Sequence, residues 1–215
     1  MLQMIKCDDR SEWLDKRSKR IGGSEASAVI GVNPFKSNVE LWEEKTGRKV
    51  SKDISDNPIV KYGQEAEFHL RELFKLDFPH YIVNYVENNM FINDKFPFAH
   101  ASLDGWITDE QGRKGILEIK TSNIINQSMK DKWDNQIPDN YYVQVLHYLM
   151  VMEAEFCVLK AQLKWDYEDL YLQTRHYFIE RKDVEEDIEY LMQAEKEFYD
   201  CIIEDKSPAL ILPNI

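Results

Sequence analysis

The sequence predicts a mixed α/β (α+β) fold in which one central β-sheet is flanked by helices. Three observations predict it. Cap residues and apolar stripes of helical period fill the chain up to about Leu76. From Tyr81 to Thr121 the apolar period shortens to that of strands. Beyond Asp139 come one helix, two strands and a last amphipathic helix. Strands with helices before, between and after them cover both faces of one sheet.

Taken in order, Ser11 to Arg17 reads as a short opening helix. Ser24 reads as the cap of a helix to Val29 or Ile30, stopped by Gly31. Asn33-Pro34 marks a turn, and Ser37 or Asn38 caps a helix through Lys45, closed by Gly47. After Asn57, Pro58 takes the first position of a longer helix to about Leu76, with Ile59, Ala66, Leu70, Leu73 and Phe74 as its stripe. Strands are expected at Tyr81–Val86, Met90–Asn93, Ala99–Thr108 and Gly115–Thr121, the last two joined by the turn Asp109-Glu110-Gln111-Gly112. Asp139 reads as the cap of a helix from Tyr141 to Glu153, followed by strands Phe156–Lys164 and Leu170–Ile179. Asp183 with Glu186 reads as a capping box that opens a helix to about Ile203.

Composition narrows the function. At 215 residues the chain suits one domain, residues 1–215, with a core of its own. Its 43% hydrophobic content excludes a disordered chain. No apolar run reaches the roughly 20 residues that span a bilayer. The opening MLQMIKCDDR turns polar too early for a signal peptide, so no membrane partner and a cytoplasmic location are expected. Cys7, Cys157 and Cys201 are scattered and odd in number, which argues against a disulfide framework or zinc site. A net charge of -12 excludes a surface that grips nucleic acid everywhere, but not a local basic site in an acidic body. Lys16, Arg17, Lys19 and Arg20 cluster near the N-terminus, whereas Asp183 to Asp205 is acidic.

The residues that carry chemistry lie in Ser102-Leu103-Asp104-Gly105-Trp106 and Leu117-Glu118-Ile119-Lys120. Glu118 and Lys120 are two apart on a strand and share a face, while Ile119 points into the core. The hairpin turn lets Asp104 lie beside Glu118. Two carboxylates at a sheet edge bind Mg²⁺ through hard oxygens, and the metal acidifies a water for phosphodiester hydrolysis. Lys120 can orient that water or neutralise transition-state charge, and the Ile119 carbonyl is a further ligand candidate. An exposed hairpin with charged residues facing water is the bland alternative. The apolar entry Gly115-Ile116-Leu117 argues for a buried strand, where unpaired charge is costly. Glu67, four residues after Gly63 on the long helix, is expected to face inward, and Gln144 lies among Tyr141, Tyr142, Val145 and Tyr148. His147 is read as structural.

Asp104, Glu118-Ile119-Lys120, Gly63-x-x-x-Glu67, Tyr142-Val143-Gln144-Val145 and Arg20-Ile21-Gly22-Gly23-Ser24-Glu25-Ala26-Ser27 together resemble the lambda-type (YqaJ-like) phage exonucleases of the PD-(D/E)xK nuclease superfamily. The likeness runs from about Trp13 to Val151, and Leu103 stands where the superfamily label has proline. It implies a restriction-endonuclease-like core with a central mixed sheet. It implies that Asp104, Glu118, the Ile119 carbonyl and Glu67 hold Mg²⁺, which Mn²⁺ can replace. Lys120 assists the nucleophile and Gln144 positions phosphate or water in that reading. Arg20, Ser24 and Ser102 would form a pocket for the 5′-phosphate of a strand end; Arg20 can fork onto phosphate oxygens. The resemblance also implies linear double-stranded DNA as substrate, 3′ single-stranded tails as product, a ring-shaped homo-oligomer (a trimer) and a single-strand annealing protein as partner. The alternatives are an endonuclease of the same superfamily, a catalytically inactive nucleic-acid-binding module on the nuclease fold, and an acidic interaction protein. The end pocket favours the exonuclease, and the intact Asp104, Glu118 and Lys120 disfavour the last two.

Overall fold

Sixteen strands and helices make up the regions that the computed structural model describes, residues 1–166 and 170–212. They are β1 (Leu2–Lys6), α1 (Arg10–Ser18), β2 (Ile21–Gly22), α2 (Gly23–Val29), α3 (Asn38–Lys45), α4 (Pro58–Asp77), β3 (Ile82–Asn84) and β4 (Asn89–Asn93). There follow β5 (Ala99–His100), β6 (Gly105–Thr108), β7 (Lys114–Asn123), α5 (Gln127–Asp131), α6 (Asp139–Met152), β8 (Phe156–Asp166), β9 (Leu170–Glu180) and α7 (Glu185–Ile203).

The central sheet has five strands in the order β3-β6-β7-β8-β9. β7 and β8 run parallel, and the other neighbours are antiparallel, so the sheet is mixed. β7 lies in the middle, and its Gly115 to Ile119 are buried. Alternation then assigns its two faces. Leu117 and Ile119 pack with Leu70 and Phe74 of α4. Ile116 belongs to the larger core built with Val145, Leu146 and Leu149 of α6. α7 packs on α6, and α2 is wedged against α6. Gly63 brings α4 close to the sheet: a Cβ there would lie 3.1 Å from Thr121 Oγ1 on β7.

Several local expectations change. Ala99–Thr108 is not one strand. β5 pairs in parallel with β2, whereas β6 pairs with β3 and β7, so the chain leaves one small sheet and enters another across Ala101–Asp104. Ser24 is not the α2 cap: Gly22 holds that position, its N–H donating to Glu25 Oε2 at 2.9 Å, and Ser24 sits exposed in the first turn. Asp139 lies inside the first turn of α6 behind Pro138. Asp183 belongs to a short 3₁₀ turn, and α7 begins behind Val184 with no side-chain cap; Glu185, Glu186 and Asp187 in its first turn offset the helix dipole instead. The Ser37 cap of α3 is present, with Glu40 closing its box. β1, β2 and α5 are too short or too irregular in pattern to announce themselves in the sequence.

His147 is structural, as expected. It is fully buried on α6, with Nε2 donating to the His100 carbonyl at 2.8 Å and Nδ1 2.7 Å from Glu195 of α7. A carbonyl on one side and a carboxylate on the other call for a proton on both nitrogens. Burial opposes that charge, but Glu195 outweighs it and raises the His147 pKa. The pair therefore stabilises the fold fully below the unfolded-state pKa of about 6.5 and weakens as pH rises through the raised folded value. Glu195→Gln is expected to lower unfolding free energy by roughly 2 kcal/mol at mildly acid pH. The gap should narrow in alkaline buffer, as urea titrations across that range would read.

Candidate active site

The antiparallel register of β6 and β7 sets Gly105 opposite Leu117, which brings Asp104 to the level of Glu118. The Asp104 Oδ2 accepts the Ile119 N–H at 2.8 Å, so the backbone of β7 itself fixes this carboxylate. Glu118 and Lys120 leave the same face of β7 and meet at 2.5 Å. Gln144 of α6 donates from Nε2 to the same Glu118 oxygen at 2.8 Å and lies 3.0 Å from Tyr148 Oη. Gly23 leaves room for this contact, since a Cβ there would stand 2.4 Å from the Tyr148 ring. On the other side, Arg71 of α4 ties Glu67 (2.9 Å) to the Asp104 carbonyl (2.7 Å) and stacks over Tyr85 at 3.6 Å.

The electrostatics are those of crowded carboxyls. Glu118 is 1% exposed, and its Oε2 is buried without a donor. Burial first, and then the Asp104 charge, push its pKa up to about 8. Burial and Asp104 likewise raise Glu67 to about 7, against the pull of Arg71. Asp104 is raised mainly by burial, with Lys120, the Ile119 N–H and Arg71 opposing. Burial works against the Lys120 ammonium, but Glu118 and Asp104 overcome it and hold the side chain charged. The cluster has more negative charge than one lysine and one arginine can settle, a condition met by protons or by a cation.

Asp104, Glu67 and Gln144 line a cleft of about 670 Å³. Among the described residues no three His, Cys, Asp or Glu side chains form a ready-made cage, and Glu67 is turned onto Arg71. A groove of about 930 Å³ runs along β9 but gathers no carboxylate–lysine cluster. The cleft that Asp104 lines is lined also by Arg10, Trp13 and Arg17 of α1 and by Ser24.

A model of the YqaJ-like viral recombinase domain matches residues 12–155. The chain belongs to this family. The protein YqaJ of Bacillus subtilis (strain 168) is 35% identical over 213 residues, covering 94% of this chain; the chain spans 59% of the length of that relative. Among solved structures, the alkaline exonuclease LHK-Exo of Laribacter hongkongensis is similar with a TM-score of 0.65 at 19% identity, over 90% of this chain and 95% of its own. Its complex with dAMP gives 0.60 at 16% identity, with the same coverage. A phage-related exonuclease of Haemophilus somnus 129PT gives 0.52 at 13% identity, over 86% of this chain and 96% of its own. These likenesses fix the restriction-endonuclease-like fold.

Within this YqaJ-like domain, Asp104, Glu118, Lys120, Glu67 and Gln144 come together. Ser24 and Ser102 also line the cleft, and the Ser102 Oγ is buried without a partner. Arg20 is absent from the lining: its Nε donates to the Pro97 carbonyl at 3.2 Å. The arginine beside Ser24 is Arg17, at 3.4 Å, its guanidinium carbon over the Trp13 ring at 4.2 Å. Lys45 braces both segments by donating to the Arg17 and Arg20 carbonyls and pairing with Glu25. Sequence reasoning missed Arg17, Arg71, Trp13 and Tyr148. Helical spacing could have found Arg17, since Arg10, Trp13 and Arg17 fall on one face of α1.

Because Glu67 and Glu118 titrate about 7 and about 8, well above an unfolded carboxyl, ionising them opposes folding. Without divalent cations the protein should lose stability as pH climbs from about 4.5 through about 8. Glu118→Gln should flatten that decline by roughly 2 kcal/mol, read from thermal or urea unfolding in chelator. An unchanged slope would show that Glu118 is not the strained group.

Proposed function

We propose that the protein is a divalent-cation-dependent deoxyribonuclease that removes nucleotides from the 5′ end of one strand of linear duplex DNA, leaving 3′ single-stranded tails for recombination. The observation that carries this reading is the Asp104–Glu118–Lys120 cluster, whose Asp104 lines a cleft that Arg17 and Ser24 line as well. The fold shared with exonucleases and membership of a recombinase family support it.

Asp104, Glu118 and the Ile119 carbonyl fit Mg²⁺ or Mn²⁺, with Glu67 joining directly or through water, since Mg²⁺ takes one or two carboxylates and keeps several waters. The orphaned Glu118 Oε2 and the raised carboxyl pKa values are what a hard cation would relieve. Such an ion, when bound, supplies Lewis acidity to the phosphate and an acidified water. Lys120, held protonated, neutralises charge that builds on the phosphate and orients the attacking water. Gln144 and Lys120 both hold one oxygen of the Glu118 carboxylate, so its geometry costs little to set during reaction. Water adds to phosphorus, the P–O3′ bond breaks, and the remaining strand keeps a 5′-phosphate. Arg17, Ser24 and Ser102 receive that phosphate, with Arg20 behind them bracing the backbone at Pro97. The resemblance extends the proposal to a ring-shaped trimer around the duplex and a single-strand annealing partner.

Lys120→Ala and Asp104→Asn should each cut turnover on linear duplex by about 100-fold or more, with circular dichroism unchanged. Arg17→Ala should cost about tenfold more on 5′-phosphorylated than on 5′-hydroxyl ends, whereas Arg20→Ala should affect both ends alike. Equal losses for Arg17→Ala on the two ends would remove the end pocket. Cation affinity should rise with pH until Glu118 is ionised near its value of about 8. Calorimetry with Mn²⁺ in buffers of different ionisation enthalpy would detect the released proton.

A further inference from the structure

The position of Asp104 depends on a residue outside the cluster. β4 and the segment after β5 begin an antiparallel ladder: Phe91 and Ala101 exchange N–H and C=O at 2.7 and 2.9 Å. Continued by two residues on each chain, that ladder would pair Asn89 with Leu103 through their main chains. Instead the Asn89 side chain takes the place of the ladder. Its Oδ1 accepts the Leu103 N–H at 2.8 Å, and its Nδ2 donates to the Leu103 carbonyl at 2.9 Å and to the Val86 carbonyl at 2.8 Å. An amide side chain is thus inserted as a spacer, and it carries Asp104 outward to the level of Glu118. Asn89 is 4% exposed, so these bonds are shielded from water. The Asn89 main-chain carbonyl accepts the Trp13 indole N–H at 3.1 Å. The Trp13 ring in turn carries the Arg17 guanidinium at 4.2 Å, and Arg17 reaches Ser24.

We infer that Trp13 and Asn89 form a strut that fixes the spacing between the Arg17–Ser24 corner and the Asp104 carboxylate, and that this spacing sets the length of the released product. The inference rests on the exonuclease reading above. A terminal phosphate seated at Arg17 and a scissile phosphate at Asp104 must lie one internucleotide step apart to release mononucleotides. Two sites on separate elements keep such a spacing only through a rigid link, and displacement by about 1 Å costs about 100-fold in rate. Trp13 and Asn89 are positioning residues here: neither belongs to the cluster that performs the chemistry.

Asn89→Ala leaves the Leu103 amide and carbonyl buried without partners and can unfold the region, so Trp13→Phe is the decisive variant, keeping a ring under Arg17 but losing the N–H to Asn89. The first readout is metal-free. In chelator, amide exchange at Leu103 and Ile119 should speed up about tenfold in Trp13→Phe, with the Leu159 amide in the sheet centre unchanged. The second is the first product from a 5′-labelled, 5′-phosphorylated duplex in Mg²⁺. Wild type should give mononucleotides, and Trp13→Phe about one product in ten at dinucleotide length or longer. Unchanged exchange together with pure mononucleotide product in Trp13→Phe overturns the strut while leaving the exonuclease intact. A wild-type protein that leaves the phosphorylated end untouched overturns the exonuclease reading and the strut with it.

Discussion

Everything in the site depends on like charge held out of water. Glu118 stands on the central strand of a sheet covered on both faces, with Asp104 fixed beside it by the Ile119 N–H and Glu67 nearby on α4. A lone buried carboxylate would simply keep its proton. Here Lys120, Gln144, Tyr148 and Arg71 offer partial compensation, enough to hold the geometry but not to settle the charge. The structure stores a demand for positive charge at one spot, and the fold around it is what prevents relaxation. α4 cannot turn away, since Gly63 lies against Thr121. α6 cannot rotate, because His147 is locked to α7 and to β5.

The same constraint reconciles an acidic protein with an anionic polymer. The net charge is -12, yet the cleft that Asp104 lines also carries Arg10 and Arg17, both lying over Trp13. Arginine is suited to that post, since its planar fork binds phosphate oxygens while its face stacks on an indole. On the proposed reading, acidic residues elsewhere would repel DNA and favour its approach at the cleft. On the proposed reading, phosphodiester chemistry and end recognition share one cleft and are carried by different parts of the chain.

Much of this was legible in the sequence for identifiable reasons. The alternation Leu117-Glu118-Ile119-Lys120 assigns faces by itself, because a strand has a period of two. The turn Asp109–Gly112 fixes the β6–β7 register, and with it the meeting of Asp104 and Glu118. What escaped was set by tertiary contacts. Arg20 and Arg17 stand in one basic cluster, and only the packing of Lys45 and Pro97 decides which of them reaches Ser24. Arg71 reads as an ordinary helix arginine until its carbonyl partner across the chain is seen. The break between β5 and β6 depends on Asn89, a side chain standing in for a ladder, which no local pattern announces. Caps failed where a neighbour supplied the bond: Glu25 serves Gly22, and so Ser24 is left exposed in the cleft wall.

The central claim is that this cluster hydrolyses DNA from a phosphorylated 5′ end. One measurement tests it most directly: purified protein incubated in Mg²⁺ with a linear duplex phosphorylated at a single 5′ end, beside a covalently closed circle and a chelator control. The account predicts progressive loss of the phosphorylated strand from that end, with the circle intact and no cleavage in chelator. Cutting of the circle, or digestion indifferent to the 5′-phosphate and to chelator, would contradict it.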